Sequence, residues 1–66
     1  MNIAKVKSIV KMMNDAALSM AINKGTDDEI YFKGKVWAFR AILMSVGVNI
    51  SERKMPMGNT YYFIEK

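Results

Sequence analysis

Apolar positions recur along this chain in three successive patterns, and each pattern predicts one element. From Asn2 to about Asn23, Ile3, Val6, Val10, Met13, Ala17 and Met20 alternate at spacings of three and four. That is the seam of an amphipathic helix, and Ile9 and Ala21 widen it into a face suited to a globular core. Fewer than three heptads do not demand a coiled coil. Gly25 supplies the stop, with Lys24 beside it where a cation suits the helix dipole.

A second helix is predicted over about 27–46. Thr26 is its N-cap, Asp27 and Asp28 occupy the first turn, and Glu29 completes a capping box three residues after Thr26. Glu29 and Lys33 are spaced for an i, i+4 pair, and Gly47 ends the helix. The short link between the helices predicts an antiparallel hairpin. This second helix has two apolar stripes. At 100° per residue, Phe32, Val36, Phe39, Leu43 and Val46 line one, while Ile30, Trp37, Ala41 and Met44 line the other. Glu29, Lys33 and Arg40 lie between them on one side, and Gly34, Ala38 and Ser45 on the other. A helix apolar on two sides is sandwiched, so one stripe faces this chain and the other a second chain, a partner or the chain's own β-hairpin. The small residues predict a close approach, and the nearest occupant is the first helix along Gly34 and Ala38.

From Val48 the period changes to two. Val48 and Ile50 alternate with Asn49 and Ser51, a turn-rich stretch from Glu52 to Asn59 holds Pro56 and Gly58, and Thr60 to Ile64 is dense in aromatic and β-branched residues. A β-hairpin over about 48–65 is expected, with Tyr62 and Ile64 facing one way and Tyr61 and Phe63 the other. The fold class is therefore α+β: an antiparallel two-helix hairpin followed by a C-terminal β-hairpin, in one small domain.

Composition narrows the function more than the fold. Sixty-six residues bury a core worth no more than ~3 to 5 kcal/mol, so chains of this size need a staple. Cys and His are both absent, which removes disulfides and the commonest metal ligands. Oligomerisation is the remaining ordinary staple, and a homo-oligomer, most simply a dimer, is expected. A hydrophobic content of 52% argues against disorder. No catalytic residue, metal site or cofactor is expected, because the Ser, Lys, Asp, Glu and Tyr residues show no distinctive pairing. Neither a signal-peptide core nor a run of the ~20 apolar residues that cross a bilayer is visible, so a cytoplasmic location is expected, in a bacterium or a phage-infected cell.

The candidate chemistry is recognition. Trp37, Arg40 and Met44 on the second helix, with Met55 and Met57 flanking Pro56 in the hairpin loop, are the residues expected to meet a protein partner, since Trp, Arg and Met are enriched at interfaces. The competing expectation for Trp37 is core filling, and for Arg40 a solvated stripe with Glu29 and Lys33. A formal net charge of +4 also favours acidic partners. Lys7 and Lys11 share a helix face with Asn14, and Arg53 with Lys54 sits at the predicted hairpin tip. They are the candidate nucleic-acid contacts, with Tyr61, Tyr62 and Phe63 as residues able to stack on bases or pack in a core. These features predict a small non-enzymatic binding protein, an accessory regulator or inhibitor of phage or mobile-element type acting by protein–protein contact. The alternative is a basic dimeric nucleic-acid-binding protein; a membrane partner is not expected.

Overall fold

A computed structural model describes residues 2–65, which form two helices and then a two-stranded antiparallel sheet. Helix α1 spans Ile3–Ile22 and α2 spans Asp27–Ser45; strands β1 (Ile50–Lys54) and β2 (Thr60–Ile64) make the hairpin. This is the predicted α+β layout.

The helix ends follow from local chemistry. Asn2 caps α1, its side-chain oxygen accepting from the Lys5 N–H at 2.8 Å, and Asn23 closes it by donating its amide to the Ser19 carbonyl at 2.7 Å. Lys24 lies beyond the last turn rather than in it. The expected capping box does not form at α2, because neither of its two bonds is made between Thr26 and Glu29. Glu29 reaches back to accept from the Gly25 N–H at 3.0 Å, but the Thr26 hydroxyl turns away and donates to the Asn23 carbonyl at 2.6 Å. The tight connection brings that carbonyl within reach, and Glu29, so engaged, forms no ion pair with Lys33 among the described residues. At the other end Gly47 adopts φ 79°, which lets its N–H reach the Met44 carbonyl and that of Val48 reach Leu43. These two bonds satisfy carbonyls of the last turn and fold Val48 back onto the core.

In the hairpin Ile50 lies opposite Ile64 and Glu52 opposite Tyr62. Pro56 and Gly58 suit the second and fourth positions of the turn closed by the Gly58 N–H on the Met55 carbonyl at 2.9 Å. The core is small. Val6, Met13, Ala16 and Ala17 of α1, Val36 and Leu43 of α2, and Tyr62 of β2 are buried, with Phe32, Phe39, Ile50 and Ile64 partly buried around them. Ala16, outside the strict α1 seam, enters because α2 comes close, whereas Ile3, inside it, is left exposed at the helix end.

One polar side chain positions the sheet. Asn14 lies between Val10 and Ala17 on the inner side of α1. Its amide donates to the Tyr62 carbonyl at 2.8 Å and its oxygen accepts from the Tyr62 N–H at 2.7 Å. Tyr62 and Glu52 form a pair without mutual hydrogen bonds, so the backbone groups of Tyr62 point away from β1. Asn14 thus stands where the peptide group of a third strand would stand, and it covers the outer edge of β2.

Candidate functional site

The two stripes of α2 meet different fates. Val36 and Leu43 are buried against α1, and Phe32 and Phe39 are half-buried beside them. Gly34 is nine residues from Leu43, which is 180° around the helix, and Ala38 is about 160° from Val36. A single flanking helix covers one side only, and it covers the bulkier one. Gly34 and Ala38 are accordingly exposed, which overturns the expectation that α1 fills the small-residue track.

Trp37 is not a core residue either. It is 62% exposed, with Ile30 at 73% and Met44 at 66%. These three stand seven residues apart on one line, separated by Gly34 and Ala41. The hairpin does not reach them. Tyr62 is buried in the core, and Tyr61 and Phe63 are exposed on the other face of the hairpin. From Ile30 to Met44 the outer face of α2 is an apolar seam with no charged residue along its centre.

Arg40 leaves that seam and turns toward the sheet. Its guanidinium lies 3.9 Å from the Glu52 carboxylate, joining α2 to β1 rather than forming a stripe with Glu29 and Lys33. Glu52 is directly opposite Tyr62, so the phenol sits among both charges. Burial pushes the Tyr62 hydroxyl above its ordinary value, Glu52 adds to the rise, and Arg40 opposes it. Met57 is exposed at the hairpin tip as expected, whereas Met55 is half-buried, with its N–H bonded to the Asn59 carbonyl at 2.9 Å.

The basic residues do not gather into one patch. Lys7 and Lys11 are exposed on α1, and Lys11 pairs with Asp15 at 3.4 Å. Asn14 does not join them, because its amide is engaged by Tyr62. Arg53 and Lys54 are not at the hairpin tip but in β1, opposite Tyr61 and Thr60, because the strand runs on to the Met55–Gly58 turn. Lys54 lines a depression with Lys24 and Glu29 at the far end of α1. Lys7 and the end of α1 at Ile22 are fifteen residues apart, about 22 Å along the helix. Arg53 stands over the Phe63 ring at 5.9 Å, and the Tyr61 and Phe63 rings stack at 6.4 Å on the outer face of the hairpin.

Sequence reasoning missed Glu52 and Lys24 as neighbours of Arg40 and Lys54, since both contacts are set by how the hairpin lies on the helices. Asn14 left a usable signal: a polar residue at an inward position of an apolar seam needs a partner. A shallow groove of about 210 Å³ between the helices, lined by Met12, Ala16, Phe32 and Phe39 among others, is below the ~300 to 1,000 Å³ usual for small-molecule pockets. Among the described residues no group of three or more His, Cys, Asp or Glu side chains is placed to hold a metal, and no helix is long and apolar enough to cross a membrane. No family model, curated protein or solved structure matches this chain.

Proposed function

We propose that this chain is a non-enzymatic binding protein that works by protein–protein contact, with the outer face of α2 as its contact surface. One observation carries the proposal: Ile30, Trp37 and Met44 stand in solvent on a single line of a well-packed helix. Apolar area left in water forgoes roughly 25 cal/mol per Å² of stabilisation, and this chain has little core with which to offset it. Anchors at i, i+7 and i+14 are the form in which a helix presents itself to a groove or to another helix. Covering a surface on another protein without chemistry of its own is the action of a regulator or inhibitor.

A photo-crosslinking amino acid at Ala41, between Trp37 and Met44, tests this in the native host. Discrete adducts with protein are expected from Ala41 and not from Lys35, which projects from another side of α2. Equal labelling from the two positions, or none, would count against it.

A second reading rests on the hairpin. Arg53, Tyr61 and Phe63 make a solvent-facing cationic and aromatic surface on which single-stranded nucleic acid can stack. Fluorescence anisotropy with a labelled oligonucleotide should then show affinity that falls steeply with salt and is lost in Phe63→Ala. Absence of binding at low salt ends that reading.

A further inference from the structure

We infer that the occupant of the outer α2 face is a second copy of this chain, the two α2 helices packing antiparallel about a two-fold axis. The inference rests on the contact-surface reading above and names its partner. Three observations converge on it.

The first is area. The chain exposes 4809 Å², whereas a folded monomer of 7.5 kDa is expected to expose about 4,250 Å². The excess, roughly 550 Å², belongs to the chain as a whole, with Ile30, Trp37 and Met44 among its most exposed apolar side chains. It is close to what one partner contributes to an interface at the lower end of the specific range, where ~800 Å² per partner is standard.

The second is the order of sizes along the seam. Ile30, Trp37 and Met44 occupy one heptad position, and Gly34 and Ala41 the other, which Asp27 begins in the first turn. In a parallel pair each position meets itself, so bulky residues crowd bulky ones and glycine faces glycine across a hole. Reversing one helix exchanges the two positions, and each of the four central layers then sets a large side chain against a small one, with Met44 beside the partner's Asp27 in the layer at either end. Overlapping the helices end to end places Trp37 over the partner's Gly34 and Ile30 over the partner's Ala41. The helix dipoles then oppose one another, which favours the same orientation. Such an interface is isologous and closes on itself.

The third is Gly34. Glycine inside a helix is unfavourable relative to alanine. Nothing lies within 4 Å of where its Cβ would stand, and its φ is not left-handed, so the monomer contains no reason for glycine here. Close approach from outside supplies one.

Sedimentation equilibrium from about 1 µM to about 1 mM should show the mass doubling, and Trp37 emission should shift to the blue over the same range. Gly34→Leu fills the slot for the partner's Trp37 while meeting open space in its own chain, so it should weaken dimerisation at least tenfold with circular dichroism unchanged. Orientation is read with cysteines, of which the chain has none. Ile30→Cys alone should not form a disulfide dimer, its two copies being about 16 Å apart along the axis, whereas an equimolar mixture with Ala41→Cys should cross-link. A monomer at every concentration, a dimer indifferent to Gly34→Leu, or self-cross-linking of Ile30→Cys overturns the inference. If the chain is monomeric yet a probe at Ala41 captures a different protein, the second copy is excluded and the contact surface stands. If it is monomeric and the probe captures nothing, both fall.

Discussion

The two sides of α2 are nearly equal in apolar character and opposite in circumstance. On the inner side, Val36 and Leu43 sit in a closed core; on the outer side, Trp37, the largest side chain in the protein, stands in water. The difference lies in the shape of the apolar surface, not in its amount. The inner stripe is broad, with large residues at adjoining positions that fill the space against α1. The outer one alternates large with small, leaving notches that no element of the same chain enters.

The comparison is broken most directly by truncating one residue on each side. Leu43→Ala should cost about 2 to 5 kcal/mol, comparable to the whole ~3 to 5 kcal/mol that a core of this size supplies, and thermal melting by circular dichroism should show the cooperative transition largely lost. Trp37→Ala, measured in dilute solution, should leave that transition within about 0.5 kcal/mol of the parent. A large loss from the second would mean that the outer face is supported within the monomer.

Next in size is the polar contact that seats the sheet. Asn14→Leu strands the N–H and carbonyl of Tyr62 against an apolar side chain, at a cost of about 1 to 3 kcal/mol. Amide exchange at Tyr62 should accelerate more than at Leu43.

A smaller effect appears at high pH. Burial raises the Tyr62 hydroxyl above its ordinary value of 10.0, with Glu52 adding to the rise, so the folded state holds the proton more tightly than the unfolded chain does. That stabilisation is complete below the unfolded value and is lost as pH rises through the folded one. Urea denaturation on the alkaline side of pH 10.0 should therefore show stability falling with pH in the parent and falling less in Tyr62→Phe. Equal slopes would remove Tyr62 as the cause.

The smallest expected effect is at Ala38. It is exposed beside the outer seam, so Ala38→Leu should leave the melting temperature of the dilute protein unchanged. A loss of stability there would restore a close helix contact along Gly34 and Ala38.

These contrasts also mark what the sequence made legible. Periodicity located the two helices and β2 to within a residue or two, because the apolar spacing and Gly47 are local signals that act where they stand. But it gave Glu52, Arg53 and Lys54 to the turn, since their polar side chains carry no strand signal and only pairing with Tyr62, Tyr61 and Thr60 makes them β1. It also separated Tyr62 from Tyr61 and Phe63, since side chains alternate along a strand. Which stripe of α2 would be covered was not legible, because both have helical spacing and only the path of α1 decides between them. The same holds for Arg40: its turn toward Glu52 depends on where the hairpin comes to rest, twelve residues further along the chain.

The paired hydrogen bonds between Asn14 and Tyr62 join residues 48 apart. Both helices are synthesised before Tyr62, and until β2 is seated the Asn14 amide on the inner face of α1 has no protein partner. The two helices are therefore not a self-sufficient folding unit. Seating β2 completes them in one late, long-range event, and it closes the edge at which a stray strand would otherwise have added.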